Sequence, residues 1–541
     1  MNLFNRRTSN ISKNLVILRE AEDLLSFLFR GNVISTEQRE RRDPRISPVA
    51  PPTPGAPSMA RLWPWVGLAT ALLVANTAQP QSPEPWKSIP IPPLHAFKPQ
   101  APTRLELPNG LVIFLQEDHE LPFISGTILI RGGSRDEPAN KVGLVSLYGQ
   151  TWRTSGTATA DGDLLDDRLE AKAANIETGG GVALTTMSWS SLKSDFDSVF
   201  ATTVDLLLHP VFKEDKLQLA KSQMEAGIAR RNDDASGIAA REASILVYGP
   251  KSSYGREAQY ATVDAVTLAD LKNWHDTTVI PNNMILAVSG DFDSAAMEAK
   301  LRATFGPLAR GKATPKFKSD FTGPKPGVYV VDKKDVNQSN VAILGLGTER
   351  SNPDFYALSV MNEIFSGGFG SRLFQEVRTK LGLAYQVSGS YGASYDHPGV
   401  FEVTASTKSA STVAATQAML DEIGKLKTVP PTADELRKAK DEQLNSFIFR
   451  YDSPDKTLNE QVTLAFFGYP KDFLEKYKTG IESVTAADVS RVANKYIDAS
   501  KLAILVVGNQ SEMTTPITTL GKVTTLDITI PGTPPGGPPQ Q

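Results

Sequence analysis

The sequence predicts an α+β fold of two homologous α/β-sandwich halves that enclose a cleft. Three observations predict it. The stretch VTLADLKNWHDTTVIPNNMILAVSGDF (266–292) can be laid on VTAADVSRVANKYIDASKLAILVVGNQ (484–510) at a constant offset of 218 residues, which sets Val266 on Val484, Thr267 on Thr485, Asp270 on Asp488 and Gly290 on Gly508. The starts of the halves correspond as well: NGLVIFLQED resembles PGVYVVDKKD, and each is followed by an apolar strand, ISGTILI or NVAILGL, and then by a helix. Between the halves a basic, proline-dotted linker lies between Pro307 and Gly327.

In chain order, residues 1–58 are charged and then rich in proline; they have little to bury and are expected to be a disordered or non-native leader. Arg61, the apolar run Leu62–Ala75 and the small residues Ala75, Thr77 and Ala78 then follow the order of a secretory signal peptide, 59–78. That order implies a periplasmic or secreted protein that starts at Met59 and matures near Gln79. The run falls short of the roughly 20 residues that span a bilayer, so no stable membrane span is expected. The N-terminal half, 86–312, reads as two strands, a long helical stretch, further strands and helices, and a closing helix and strand. Thr267 and Asp270 open the closing helix, because an N-cap threonine with an acid three residues on satisfies free N–H groups and suits the positive helix end. The buried strand MILAVSG follows. After a linker at 313–325, the C-terminal half, 326–525, repeats this order and closes on LAILVVG. Helices on one face of a mostly antiparallel sheet give the α+β class. The Pro/Gly-rich end, 526–541, is expected to be a disordered tail.

Composition narrows the chemistry. With 57 basic and 60 acidic residues the net charge is −3, so no basic field points to nucleic acid. The chain has no cysteine, which removes disulfides, cysteine-zinc sites, iron–sulfur clusters and thiol nucleophiles together. The histidines are His95, His119, His209, His275 and His397; no two lie within five residues, so every HExxH-type zinc motif is absent. His209, before a proline, reads as a capping or surface residue. His275 sits where the other repeat copy has Ala493. Asp233-Asp234 reads as a helix end. The run Gly179-Gly180-Gly181 lacks the Lys-Ser/Thr of a phosphate loop and is expected to form a turn before an alternating strand.

Two stretches carry the functional reading. The first is Gly143-Leu-Val-Ser146-Leu-Tyr-Gly149-Gln150-Thr-Trp-Arg-Thr-Ser-Gly-Thr157. The second is Ser366-Gly-Gly-Phe-Gly370-Ser-Arg372-Leu-Phe-Gln-Glu-Val-Arg378-Thr-Lys-Leu-Gly382-Leu-Ala-Tyr385. Together they resemble the insulinase/pitrilysin family of inverted-motif zinc peptidases, which includes the processing peptidases. The resemblance spans about Leu105 to Gly508. The family's active helix reads close to GLAHFLEHMxFxGT, with two histidines binding zinc and a glutamate as general base. Aligning the flanking GL and GT puts Ser146 and Gln150 on the histidines and Gly149 on the base. The family's spacing to a third, glutamate ligand leads to Gly227; Glu225 is two residues off and points to another helix face. All four positions are degenerate, since serine, glycine, glutamine and glycine cannot make a zinc site with a base.

The second stretch resembles the glycine-rich loop, SRLF helix and R-x6-Y element of the C-terminal halves of that family. Gly367, Gly368 and Gly370 let a chain approach closely and are candidate substrate-binding positions. Gly382 is expected to end the helix and leave Tyr385 on the next strand. Arginine offers a fixed fork of donors and tyrosine one movable hydroxyl, which suits a peptide carbonyl or its oxyanion. In the family's two-chain members one subunit carries the zinc helix and the other supplies this pair. The resemblance therefore implies a non-zinc-binding subunit of a heterodimeric zinc metallopeptidase, with Arg378 and Tyr385 catalytic. It implies no cofactor in this chain, zinc in a homologous HxxEH partner, and peptide substrates. The other reading is a stand-alone peptide-binding or scaffold protein of the same fold.

Overall fold

The computed structural model describes residues 100–532. The expected leader, 1–58, the signal stretch, 59–78, and the end of the tail lie outside the described residues.

The N-terminal half runs β1 (Thr103–Glu106), β2 (Val112–Glu117), β3 (Phe123–Arg131), α1 (Leu144–Ser155), α2 (Gly162–Glu170), β4 (Asn175–Gly180), β5 (Leu184–Leu192), α3 (Phe196–Leu208), α4 (Glu214–Ala229), α5 (Ala235–Tyr248), α6 (Tyr260–Asp264), α7 (Leu268–Thr278), β6 (Met284–Gly290) and α8 (Ser294–Phe305). The C-terminal half begins β7 (Gly327–Asp332), β8 (Gln338–Leu346), β9 (Thr348–Glu349), α9 (Phe355–Ser366), a π-helical segment (Phe374–Lys380), β10 (Gln386–Tyr391) and β11 (Ala393–Ser394). It continues β12 (Val400–Lys408), α10 (Thr412–Thr428), α11 (Ala433–Phe447), α12 (Pro454–Phe467), α13 (Phe473–Ser483), α14 (Ala486–Tyr496), β13 (Ala503–Gly508) and β14 (Val523–Thr525).

Each half carries a six-stranded sheet, ordered β1-β2-β6-β3-β5-β4 in one and β14-β7-β13-β8-β12-β10 in the other. The repeat strands hold equal places. β6 lies parallel to β2 and antiparallel to β3; β13 lies parallel to β7 and antiparallel to β8. Only the outermost strands differ, β1 running antiparallel to β2 and β14 parallel to β7. The repeat helices α7 and α14 both open on the expected caps, with Thr267 accepting from the Asp270 N–H and Thr485 from the Asp488 N–H.

Strands that read as unbroken apolar runs must be buried on both faces. One face of the N-terminal sheet packs on its own helices, with Leu286 and Val288 in a core with Leu147, Trp152 and Trp274. The other face is covered by a helix from the opposite half: Leu458, Val462 and Phe466 of α12 pack on Phe114, Leu129, Ile285 and Ala287. The repeat-related helix α5 does the reverse, laying Ile238, Ala243 and Val247 on Ala342, Leu344, Leu505 and Val507. Helices therefore cover both faces of each sheet rather than one, and the second cover is exchanged between halves.

Polar contacts reinforce the exchange. Arg131 lies over the Phe466 ring at 4.4 Å, and the buried Arg135 donates to Asp396 at 2.8 Å. The Tyr248 hydroxyl donates to the Pro398 carbonyl at 3.1 Å. Linker residues Phe317 and Phe321 close around Tyr254 and His397, so the linker is packed.

Two further expectations are corrected. The tail expected to be disordered from 526 is packed as far as Ile530. The Leu526 N–H bonds to the Val330 carbonyl at 2.8 Å, the Asn232 side chain donates to the Ile528 carbonyl at 2.7 Å, and Ile530 is buried in the N-terminal core. Alternating Leu526, Ile528 and Ile530 give this strap something to bury, which the Pro/Gly composition beyond it concealed. Asp234 begins a helix rather than ending one, its carboxylate accepting from the Gly237 N–H to cap α5. Among the described residues no helix is long and apolar enough to cross a membrane.

Candidate functional site

The degenerate zinc helix, α1, starts at Gly143, whose φ of 107° suits glycine. No side chain at the N-cap serves its free N–H groups. The buried Glu137 does so instead, accepting from Gly143 N–H and Val145 N–H at 3.0 Å each. Burial pushes this carboxyl up to about 7 despite those bonds. Sequence reasoning missed Glu137, although an acid shortly before a helix is a capping signal.

One face of α1 is aromatic. Tyr148 stacks on Trp152 at 5.1 Å, and its hydroxyl lies 2.9 Å from His275 Nδ1. Burial pulls His275 down to about 4, so it is a neutral hydrogen-bonding partner at pH 7. His209 is the C-terminal cap residue of α3, exposed and 3.2 Å from Asp205.

Ser146 and Gln150 stand one turn apart on α1, both half-buried. Gln150 Oε1 is buried with no hydrogen-bond partner among the described residues. Gly227 lies on α4, the helix packed against α1. Glu225 is held above the usual carboxylate range by burial and by the neighbouring Asp264.

Gly149 decides what this helix can do. A Cβ built there would lie 2.7 Å from the Gly179 carbonyl carbon and closer still to the Gly180 nitrogen. These are backbone atoms of β4, and the Thr178 hydroxyl fixes the crossing by donating to the Gly149 carbonyl at 2.7 Å. Gly179 and Gly180 thus belong to the strand and not to the expected turn, which starts at Gly181 with an N–H bond to the Leu184 carbonyl. Glycines on both elements let helix and strand backbones touch. The space a general base would need is taken. Among the described residues no three His, Asp or Glu side chains are grouped to hold a metal. The α1 residues do not fit zinc.

The second stretch folds into a separate surface. Arg372 forks onto Glu435 at 2.7 and 2.9 Å and also donates to the Val429 and Pro430 carbonyls, which ties the glycine loop to the start of α11. The bonds from Arg372 pull the Glu435 carboxyl down to about 2. Arg378 is exposed on the π-helical segment, its guanidinium 4.9 Å from the Phe374 ring, and Phe374 meets the exposed Phe369 of the glycine loop edge-on at 5.0 Å. The glycines serve different ends. Gly368 has φ +68°, Gly367 leaves no room for a Cβ beside the Glu363 carbonyl oxygen, and Gly370 has open space around it.

Gly382, at φ +61°, ends the π-helical segment as expected. Tyr385 then sits just before β10. Its N–H bonds to the Ser406 carbonyl, and Ser406 is also the register partner of Gln386. Two residues thus oppose one, the arrangement of a β-bulge, which turns a side chain away from the regular sheet. Tyr385 is 52% exposed. Neither Arg378 nor Tyr385 has a side-chain hydrogen bond or ion pair to another described residue.

The profile described as the peptidase M16 inactive domain matches residues 265–443, from just before α7 into α11. An uncharacterized zinc protease of Rickettsia felis is 24% identical over 416 residues, covering 75% of this chain and 97% of that protein. The non-peptidase homolog YmxG of Helicobacter pylori is 22% identical over 408 residues, covering 74% and 92%. Residues 265–443 thus match the inactive domain of the M16 peptidases, and the chain is similar to zinc protease and non-peptidase homologues along about three quarters of its length.

Its fold agrees. The crystal structure of a peptidase M16 inactive domain from Pseudomonas fluorescens superposes with a TM-score of 0.68 at 24% identity, covering 75% of this chain and 98% of that one. A protease structure from Helicobacter pylori gives 0.66 at 20% identity, covering 76% and 100%. In this chain the helix that resembles the zinc helix of inverted-motif peptidases is closed by glycine packing.

Proposed function

We propose that this chain is the non-zinc subunit of a two-chain zinc metallopeptidase. Arg378 and Tyr385 donate hydrogen bonds to the carbonyl oxygen of a peptide held at the partner's metal. One observation carries the reading: Arg378, next to the glycine loop through Phe374 and Phe369, and Tyr385 are exposed donors without internal acceptors, in the same chain whose zinc helix has no room for a base.

The test is reconstitution with a homologue bearing HxxEH. The chain alone should be inactive and the mixture active. Arg378→Ala and Tyr385→Phe should assemble normally and lower turnover by roughly a hundredfold, the effect of removing one oxyanion donor. Full turnover by an assembled Tyr385→Phe complex would reduce this subunit to a scaffold. We also propose export, on the strength of Arg61, the apolar run Leu62–Ala75 and the small residues after it. Sequencing the N-terminus of the protein from its native host checks this; a chain still carrying residues 62–75 in the cytoplasmic fraction would refute it.

A further inference from the structure

We propose that the polar pocket beside Tyr385 binds a carboxylate of the peptide substrate, an inference that rests on reading Tyr385 as a substrate-contacting donor. The pocket has a volume of about 430 Å³ and is lined by Asn337, Gln338, Tyr385, Lys408, Ser409 and Glu512. It lies at one end of the C-terminal sheet, where β8 begins and β12 ends, and Gln338 and Lys408 are register partners there. Its size falls in the range of small-molecule and side-chain pockets.

The lining is rich in donors. Lys408 is exposed and makes no ion pair with any described residue, not even with Glu512 in the same pocket. The Gln338 carbonyl is engaged by the Ser406 hydroxyl at 3.1 Å, which leaves its amide nitrogen to donate. The Ser409 hydroxyl oxygen is buried with no partner among the described residues, in a residue 2% exposed. The Asn337 side chain and the Tyr385 hydroxyl are uncommitted as well. One unpaired cation ringed by neutral donors matches a carboxylate, which takes charge-assisted bonds on both oxygens. Glu512 is the only acidic group in the lining and works against an anion. Two sources present this chemistry: an Asp or Glu side chain of a longer peptide, or the free α-carboxylate of a peptide that ends in the pocket.

Fluorescence anisotropy on the full isolated chain tests the proposal without a partner. The probes are labelled hexapeptides of one neutral sequence: an amidated form, a free-carboxylate form, an amidated form with one central Glu and an amidated form with one central Lys. At least one carboxylate probe should bind about tenfold or more tighter than the neutral amide, and that advantage should shrink in high salt. The winning probe identifies the source. Lys408→Glu should abolish the advantage and favour the Lys probe; Glu512→Gln should enlarge it. Equal binding of all four probes, or a Lys408→Glu chain with unchanged preference, overturns the proposal. The outcomes separate from those of the subunit reading. Carboxylate preference with no effect of Tyr385→Phe on reconstituted turnover keeps the pocket and rejects the catalytic role. Lost turnover without carboxylate preference does the opposite.

Discussion

Replacing Gly149 with alanine tests whether the degenerate helix is closed by packing or merely lacks ligands. The new Cβ would stand 2.7 Å from the Gly179 carbonyl carbon, whereas ordinary contact begins near 3.4 Å. Helix α1 and strand β4 would therefore have to part by at least about 0.7 Å. The obstructing atoms are backbone and cannot rotate aside, which puts the overpacking near the upper end of the usual range, about 3 kcal/mol. Alanine in a helix returns about 1 kcal/mol over glycine. The net expectation is a loss of about 2 kcal/mol. Gly424 on α10 is the matched control, since a Cβ there meets nothing within 4 Å. Gly424→Ala should stabilise by about 0.5–1 kcal/mol. The assay is urea unfolding followed by tryptophan fluorescence, to which Trp152 on α1 contributes. Midpoints should move in opposite directions at similar slope. A Gly149→Ala chain as stable as Gly424→Ala would refute the closure.

Further predictions follow the same geometry. The combined change Ser146→His, Gly149→Glu and Gln150→His should create no zinc binding by elemental analysis and should lower the unfolding midpoint. A stoichiometric, chelator-removable metal would contradict this. Asp354, whose carboxyl is pulled down to about 2 chiefly by its bond from Lys495, should contribute stability above pH 3.8 that is lost as pH falls through 2. After discounting for its half-exposed partners Arg491 and Lys495, Asp354→Asn should cost about 1–2 kcal/mol at pH 7 and almost nothing at pH 2. Glu137 should act with the opposite sign. Its folded pKa, raised from 4.5 to about 7, means that the folded state binds the proton more tightly, so stability should fall by up to about 3 kcal/mol as pH rises from 4.5 to 7. Glu137→Gln should flatten that slope in urea titrations at several pH values. Arg135→Met should leave the half-buried Asp396 with only its contact to His397 Nδ1 and cost about 1.5–3 kcal/mol, with Asp396→Leu in addition recovering part of it in a double-mutant cycle.

Local signals were legible in the sequence. Thr267 and Thr485, three residues before Asp270 and Asp488, cap their helices as read, and the strands that follow hold equal places in two sheets. Gly382 ends its helical segment because only its own backbone is involved. What the sequence hid depends on long-range contacts. Continuous apolar runs in β6 and β13 announce burial on both faces but not that the second cover is α12 or α5 from the other half. Gly149 reads as one lost glutamate until Gly179 and Gly180 are placed against it, 30 residues away in the chain. The bulge at Tyr385 is invisible without the partner strand, because register is a property of the pair.

The two halves meet one physical requirement in two ways, and the difference bears on where a substrate can sit. β4 and β10 are each the last strand of their sheet, and an uncovered edge invites pairing with another chain. In the C-terminal half α9 covers the edge with side chains: Ser366 accepts from the Gly389 N–H at 2.5 Å and Asn362 from the Tyr391 N–H at 2.8 Å. In the N-terminal half α1 covers it with backbone, Gly149 lying against Gly179 and Gly180. Edge N–H groups already bonded to side chains, as in β10, are not available to add a peptide strand. A peptide at the C-terminal half must then be held by groups beyond the edge, and the bulge carries Tyr385 out to that position. Removing the cover separates the two modes of holding. Asn362→Ala frees the Tyr391 N–H without touching Tyr385. If side-chain capture is the mode, peptide affinity should stay unchanged in Asn362→Ala and fall in Lys408→Glu. A gain in affinity in Asn362→Ala that is insensitive to peptide charge would instead show strand addition at β10 and reject capture beside Tyr385.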